Sequence, residues 1–175
     1  MRIGIDIDNT ITDTSAYMKQ KLEENNITHL HSDFDNYTKE ELIKNEQLIR
    51  ENIEEIMKNC KLNENAKEVI NELYKNNEIY LITARTNFYS DNLKDITINY
   101  LKENNIMYHE LLFGYEDKRD ICLEKKLDIM LDDNIKVMES IKDTNIRGIL
   151  YQTEYNKEYI GEKVNNWVEF KNLIG

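Results

Sequence analysis

The chain has 175 residues, of which 40% are hydrophobic and 33% charged, enough apolar material for one domain with at most a modest insertion. Its 34 Asp and Glu residues outnumber 23 Lys and Arg, for a net charge of −11, which argues against nucleic-acid polymers and anionic membranes as partners. No apolar run is long enough for a membrane span, and Asp6 interrupts the stretch that a signal peptide would need. We therefore expect a cytoplasmic protein.

The two cysteines, Cys60 and Cys122, lie far apart in sequence and form no Cys-x-x-Cys pair. This spacing argues against a zinc site or a disulfide framework. We expect both to be buried free thiols.

The first half of the chain is predicted to be helical after one short strand. The apolar run of residues 2–7 predicts that strand, and the spacing of Tyr17, Met18 and Leu22 predicts a helix from Thr14 to about Asn25. Residues 29–37 are predicted to be a loop.

Two further helices are predicted before the second strand. Thr38 is expected to begin the first of them, with Glu41 as its capping-box partner, and Asn63 is expected to cap the second. The apolar faces of these helices are Leu42, Ile49, Ile53, Ile56 and Met57 in the first, which ends near Asn59, and Ala66, Val69, Ile70 and Leu73 in the second.

The second half alternates strands and helices. Strands are predicted at 78–82, 108–113, 127–131 and 147–151, and helices at 91–104, 118–126, 134–143 and 165–173. This alternation predicts an α/β fold, a three-layer α/β/α Rossmann-like parallel sheet. The helical stretch after the first strand is too long for a simple crossover. We interpret residues 14–69 as a small inserted helical cap on a core formed by residues 1–13 and 70–175.

Polar side chains follow three of these strands where each apolar run ends. Ligands of open parallel sheets bind at the carboxyl ends of the strands, so these side chains are expected to meet. They are Asp6 and Asp8 after the first strand, Thr83 and Arg85 after the second, and Asp132 and Asp133 after the fourth.

The grouped carboxylates indicate a metal ion. Two unit charges about 4 Å apart repel by about 4 kcal/mol at an effective dielectric constant of 20, and a divalent cation removes that repulsion. Oxygen ligands from Asp favour Mg²⁺ over zinc or copper.

A phosphate ester beside such a metal suggests a reaction. One carboxylate would attack the phosphorus, and a second would protonate the leaving oxygen and later activate water. Thr83 would offer its hydroxyl to the phosphoryl group, and Lys118 would add a positive charge, with Lys125 and Lys126 as competitors for that role. Arg85 would either contact the substrate or form a structural ion pair.

The pattern Asp6-x-Asp8-x-Thr10, with Thr83, Lys118 and Asp132-Asp133, resembles the four motifs of the haloacid dehalogenase (HAD) superfamily, in the expected order. Within that superfamily the chain is similar to the 5'(3')-deoxyribonucleotidases and small bacterial nucleotidases. The segments that carry this second likeness are Ile-Asp-Ile-Asp-Asn-Thr, Ile-Thr-Ala-Arg and the late Tyr155-Asn156.

The resemblance implies a role for each motif. Asp6 would be the nucleophile and a magnesium ligand, and Asp8 the general acid and base, binding the metal through its backbone carbonyl. Thr83 and Lys118 would bind the phosphoryl group. Asp132 and Asp133 would hold magnesium directly or through water, with Asp133 favoured as the direct ligand.

The remaining expected substrate contacts are Asn9, Thr10, Ala84 and Arg85, with backbone amides of residues 7–10 and of Ala84 contributing. Asn9 occupies a position where many members of the superfamily carry glycine.

The resemblance thus implies a magnesium-dependent phosphomonoesterase whose partner is a small phosphorylated metabolite, with a nucleoside monophosphate favoured and a sugar phosphate as the alternative. Two rival classes are a receiver-like signalling module and an inert binding protein. A receiver carries its acidic pair after the first strand, whereas here the adjacent pair follows a late strand. The sequence does not indicate the oligomeric state.

Several other features receive a structural interpretation. Asp33 and Asp35 begin like a calcium loop, but Thr38 and Lys44 occupy the positions that require Gly and Glu. The three histidines, His29, His31 and His109, are expected to be solvated or structural. Four aromatic residues could pack or could stack on a nucleobase: Phe34, Tyr37, Phe88 and Tyr89.

Overall fold

The computed structural model describes residues 1–26 and 38–175. Its elements in chain order are β1 (Arg2–Ile5), α1 (Thr14–Glu24), α2 (Lys39–Asn59), α3 (Ala66–Leu73), β2 (Glu78–Thr83), α4 (Leu93–Glu103), β3 (Glu110–Phe113), α5 (Arg119–Glu124), β4 (Ile129–Asp132), α6 (Ile135–Ile141), β5 (Arg147–Tyr151), β6 (Lys163–Val164) and α7 (Trp167–Ile174).

The strands form one parallel sheet with the order β3-β2-β1-β4-β5-β6. From β1 the chain builds outward through β2 to β3 and then returns to the other side of β1 with β4. The strand order therefore reverses between β1 and β4, and the crevice at such a switch point is where α/β folds bind ligands. The predicted α/β fold class is confirmed.

The two faces of the sheet bury alternate residues of each strand. Ile79 and Leu81 of β2 belong to one cluster, with α3 and α7, whereas Tyr80 and Ile82 belong to the other, with α5 and α6. Strand β2 is thus apolar on both faces, as a central strand between two helical layers requires.

Helices α1, α2 and α4 pack together beside the sheet. Met18, Ile53, Met57, Leu93 and Ile96 contribute to their shared apolar cluster. The predicted capping box of Thr38 and Glu41 is confirmed at the start of α2. The division into core and cap remains a prediction; α3, which spans the boundary expected at 69/70, packs its buried face in the core with β1.

Two local predictions differ from the structure. Asn65, with a left-handed φ of 62°, is the N-cap of α3, whereas the predicted cap Asn63 turns its side-chain amide to the backbone carbonyl of Thr10 at 2.8 Å. The prediction failed because both residues are asparagines near the helix start, and a tertiary hydrogen bond decides between them. The two-residue strand β6 was not predicted, because it is too short for a hydrophobic period.

Three further predictions concern the cysteines, membrane-spanning helices and the loop at 29–37. Cys60 and Cys122 are buried free thiols, as predicted. No helix in the described part of the chain is long and apolar enough to cross a membrane. The predicted loop at 29–37, with His29, His31, Asp33, Phe34, Asp35 and Tyr37, lies outside the described residues.

Candidate active site

The centre of the site is a lysine between two carboxylates at the carboxyl ends of β1 and β4. Lys118, the N-cap residue of α5, donates from Nζ to Asp132 Oδ2 at 2.6 Å and to Asp6 Oδ1. The side chains are 3%, 1% and 8% exposed for Lys118, Asp132 and Asp6. Because β1 and β4 are neighbours in the sheet, residues far apart in sequence meet here, and a buried cation offsets part of their charge.

Burial and the neighbouring charges both shift the pKa values of Asp6 and Lys118. Burial raises the pKa of Asp6 well above its ordinary value; Lys118 opposes this shift, and the nearby carboxylates of Asp132, Asp133 and Asp8 add to it. Burial alone would lower the pKa of Lys118, but Asp6 and Asp132 raise it above its usual value. The lysine therefore remains a cation.

Asp133 completes a cluster of three carboxylates. One oxygen each of Asp6, Asp132 and Asp133 lies within 4.8 Å of the others. Burial and then the charge of Asp132 raise the pKa of Asp133 to about 7. Such crowding of oxygen donors is unfavourable by itself and fits a hard divalent cation such as Mg²⁺.

The two adjacent aspartates differ in their protein partners. Both oxygens of Asp132 are engaged, Oδ2 with Lys118 and Oδ1 with the backbone N–H of Asn134 at 2.9 Å. Asp133 is held through its backbone, because the amide of Asn156 donates to its carbonyl at 2.7 Å, and its carboxylate has a hydrogen bond with the side chain of Asn9. The carboxylate of Asp133 therefore accepts fewer hydrogen bonds from the protein than that of Asp132.

Asp8 is held by a second buried cation. Arg85 donates from Nε to Asp8 Oδ2 at 2.9 Å and from Nη2 to Asp8 Oδ1 at 2.7 Å. Thr14 donates a further hydrogen bond to Oδ1 at 2.8 Å. Burial raises the pKa of Asp8, but the charge and hydrogen bonds of Arg85 outweigh burial and lower the pKa below its ordinary value.

The loop after β1 needs a left-handed residue, which is Asn9 with φ 61°. Asparagine tolerates this region better than most non-glycine residues, so Asn9 can hold this turn. Its Oδ1 accepts from the backbone N–H of Ser15 at 2.8 Å, and Trp167 Nε1 donates to the carbonyl of Thr10 at 3.0 Å. These contacts hold the backbone between Asp8 and α1.

The sequence-predicted residues fall into two groups around the crevice. An open cavity of about 460 Å³ is lined by most of them: Asp6, Asp8, Asn9, Ala84, Lys118, Asp132 and Asp133. Thr10 and Thr83 are fully buried. The hydroxyl of Thr10 has no hydrogen-bond partner among the described residues. Arg85 lines a neighbouring cavity instead.

That second cavity, of about 370 Å³, lies between the sheet and helices α1 and α2. It shares Asp8, Asn9 and Ala84 with the first cavity. Its apolar lining comes mainly from Met18, Ile49, Ile53, Met57, Tyr89 and Leu93. A charged centre and an apolar chamber therefore meet at Asp8.

Three residues around the site were missed by the sequence analysis: Thr14, Thr97 and Asn156. Asn156 was noted only as part of a family likeness. The two threonines lie in predicted helices and carry no sequence signal of their own, because their partners Asp8 and Arg85 come from other elements.

Solved structures define the class of this fold. A haloacid dehalogenase-like hydrolase of Streptococcus pneumoniae has a TM-score of 0.70 at 14% identity, with 99% of this chain and 98% of that chain covered. A "putative HAD-hydrolase" of Bacillus subtilis, solved with magnesium bound, has a TM-score of 0.67 at 12% identity, with the same coverage of both chains. The fold is that of the HAD hydrolases.

The family is more specific. The model of "5' nucleotidase, deoxy (Pyrimidine), cytosolic type C protein" matches residues 1–175, so the chain belongs to this nucleotidase family. A "Putative nucleotidase" of Halalkalibacterium halodurans is 28% identical, with 97% of this chain and 90% of the relative covered. A nucleotidase of Clostridium acetobutylicum is 26% identical, with 99% and 93% covered. The predicted HAD-type phosphatase class is confirmed.

Proposed function

We propose that this protein is a magnesium-dependent phosphomonoesterase that hydrolyses nucleoside monophosphates through an aspartyl-phosphate on Asp6. The observation that carries the proposal is the placement of Lys118 between Asp6 and Asp132, with Asp133 alongside, at the bottom of an open cavity. A purely structural role would not need three carboxylates and a lysine gathered at a solvent-accessible crevice.

The three clustered aspartates are the candidate magnesium ligands, together with the backbone carbonyl of Asp8. Asp133 is favoured as a direct ligand over Asp132, because both oxygens of Asp132 already accept hydrogen bonds from Lys118 and Asn134. When bound, Mg²⁺ would supply positive charge that screens the carboxylates from the phosphate and stabilises the transition state.

In the first step a carboxylate oxygen of Asp6 attacks the phosphorus. The bond from phosphorus to the ester oxygen breaks, and Asp8, which must be protonated for this step although Arg85 favours its carboxylate form, gives its proton to that oxygen as the alcohol leaves. Lys118 lies within hydrogen-bond distance of Asp6, so its charge is next to the phosphoryl group as negative charge moves to the leaving oxygen.

In the second step water attacks the phosphorus of the aspartyl-phosphate. Asp8 takes a proton from this water, the bond between phosphorus and Asp6 breaks, and its electron pair returns to the Asp6 carboxylate. Inorganic phosphate leaves, and Asp8 is again ready to act as an acid.

The phosphoryl oxygens would be held by the remaining motif residues. Thr83 accepts from the backbone N–H of Arg85 at 3.2 Å, which leaves its own hydroxyl hydrogen available for a phosphoryl oxygen. Backbone amides of residues 7–10 and of Ala84 would supply further donors, and Asn9 and Thr10 contribute to the same loop.

The apolar cavity supports a nucleoside as the leaving group. It opens beside Asp8, where the ester oxygen would lie, and its lining is aliphatic except for Tyr89 and the polar groups that border the catalytic site. A nucleobase gains from burial against such a surface, whereas the hydroxyls of a sugar phosphate would lose hydrogen bonds to water there. The membership of a nucleotidase family points the same way.

The test is phosphate release from a panel of 5'- and 3'-(deoxy)nucleoside monophosphates and sugar phosphates, with magnesium, with chelator, and with Asp6→Asn. We expect many turnovers on nucleotides, lost in chelator and in the variant. Turnover on sugar phosphates alone would keep the mechanism and contradict the nucleotidase assignment. Absence of turnover on all substrates would contradict the enzyme itself.

A further inference from the structure

Arg85 is a buried cation whose donors are aimed at other residues of the protein. Its side chain is 3% exposed. The guanidinium spans both oxygens of Asp8, and Nη1 donates to Thr97 Oγ1 at 3.0 Å. A planar guanidinium that is hydrogen-bonded to Asp8 on one side and to Thr97 on the other has a single orientation. Arg85 and Asp8 are therefore fixed relative to each other.

Thr97 anchors this fork from α4. It is fully buried, and its hydroxyl hydrogen is directed to the carbonyl of Leu93 at 2.8 Å. The hydroxyl oxygen can therefore only accept from Arg85. The direction of the bond is set by the helix, which makes Thr97 a fixed support and not an adaptable one.

The hydrogen bonds on Asp8 are divided unequally between its two oxygens. Oδ1 accepts from Arg85 Nη2 and from Thr14, whereas Oδ2 accepts from Arg85 Nε. A carboxylate has about four lone-pair positions, two on each oxygen. Among contacts in the described part of the chain, Oδ1 is saturated and Oδ2 keeps one position for a proton.

We propose that Arg85 is a positioning residue for the acid–base step: with Thr97 and Thr14 it holds Asp8 so that Oδ2 is the oxygen that gives and takes the proton. This rests on the proposed function and differs from the substrate contact that the sequence suggested for Arg85. Although Arg85 borders the apolar cavity, its guanidinium is bound to both oxygens of Asp8, and it acts on the reaction through Asp8. The proton of the attacking water moves to Oδ2, while the Asp6–phosphorus bond breaks.

The test compares Arg85→Lys with Arg147→Lys. Arg147 forms the same two-pronged contact, with Glu162 at 2.7 and 2.6 Å. It lies at the exposed start of β5, so it is at the amino ends of the strands, whereas the site is at their carboxyl ends. For Arg85→Lys we expect kcat on the best nucleotide to fall about 100-fold while KM changes by less than about threefold. Arg147→Lys should keep the wild-type kcat.

A second readout separates positioning from a general loss of structure. With p-nitrophenyl phosphate the leaving group needs little protonation, so phosphorylation of Asp6 should stay fast while its hydrolysis slows. Arg85→Lys should then release a burst of about one p-nitrophenolate per enzyme before slow turnover. A merely destabilised protein would give a smaller active fraction without this change in the rate-limiting step.

Thr97→Val keeps the proposal testable if Arg85→Lys does not fold, because it removes the acceptor with little change of shape. We expect kcat to fall about fivefold at unchanged KM, as for one lost hydrogen bond. Wild-type kcat in the folded variants would overturn the proposal, as would a rise in KM alone, which would return Arg85 to substrate binding. If the wild-type protein itself hydrolyses no phosphomonoester, the proposed function fails first.

Discussion

The side-chain amide of Asn156 donates to the backbone carbonyl of Asp133 at 2.7 Å and to the carbonyl of Tyr151 at 3.1 Å. Its Oδ1 accepts from the backbone N–H of Thr153 at 2.8 Å. A single buried side chain thus joins the loop after β5 to the residue whose carboxylate is the favoured magnesium ligand. Asn156 lines the same cavity and holds the backbone of Asp133 in place.

Asn156→Ala should weaken magnesium binding by about 10- to 100-fold, because outer partners orient the ligands of a metal site. The measurement is the magnesium concentration for half-maximal phosphatase activity, together with calorimetric titration of the protein with magnesium. Asn99→Ala, on the exposed face of α4, is the matched control and should leave both values unchanged. Equal magnesium affinity in wild type and Asn156→Ala would contradict this role.

Lys118→Met should remove the cation that offsets Asp6 and Asp132. Without metal, we expect the free energy of unfolding to fall by about 3–5 kcal/mol, since two buried carboxylates lose their partner. Magnesium should raise the Tm of the variant more than that of the wild type, because it would take over this charge balance.

The comparison for that variant is Lys125→Met at the other end of α5, where the lysine pairs with Glu110 at 2.8 Å near the surface. Thermal unfolding in chelator and in excess magnesium should show a small loss and no added magnesium response for Lys125→Met. Equal effects of the two substitutions would show that the burial of Lys118 has no special consequence.

Ile49→Trp should fill part of the apolar cavity beside Asp8. If the cavity holds the nucleoside, KM for nucleoside monophosphates should rise at least about tenfold, while hydrolysis of a phosphate ester with a small leaving group stays near the wild-type rate. Ile43→Trp is the control, since Ile43 is exposed on the same helix. An equal loss of activity on nucleoside monophosphates and on the small ester would show that the nucleoside does not bind in this cavity.

Glu54 connects α2 to the loop after β2, and its contribution should depend on pH. Hydrogen bonds from Ser90 at 2.5 Å and Asn92 at 3.0 Å lower its pKa from 4.5 to about 2. A pKa that is lower in the folded state stabilises the protein above the unfolded pKa, and this is lost as the pH falls toward the folded value.

The stability advantage of wild type over Glu54→Gln should therefore be full above pH 4.5 and should shrink as the pH falls toward 2. Denaturant unfolding of both proteins over this range measures it, with Glu51→Gln, an exposed glutamate of the same helix, as the control. An advantage that stays constant with pH would contradict the assignment.

The fold and the charged centre were predictable because they depend on short-range signals. Each apolar run that ends in Asp or Thr marks a strand and its carboxyl end at once, so Asp6, Thr83 and Asp132 could be placed at one edge before any contact was known. The capping box at Thr38 is equally local, because both partners lie within one helical turn.

The surroundings of Asp8 could not be predicted in the same way. Arg85 lies 77 positions from Asp8, and whether its guanidinium faces a substrate or a carboxylate depends on how α4 packs beside the sheet. Thr97 looks like any threonine in an amphipathic helix until the fold brings it to Arg85. The wrong cap at Asn63 has the same origin, a tertiary contact with Thr10 that a local pattern does not contain.

The most direct test of the account is the chemical identity of the intermediate. Wild-type enzyme is mixed with substrate and magnesium, quenched in acid during turnover, and digested for peptide mapping. We predict that phosphate is attached to the peptide containing Asp6, at Asp6 itself, and that it is absent from Asp6→Asn. Steady turnover with no phosphorylated peptide, or with phosphate on a different residue, would contradict the central claim.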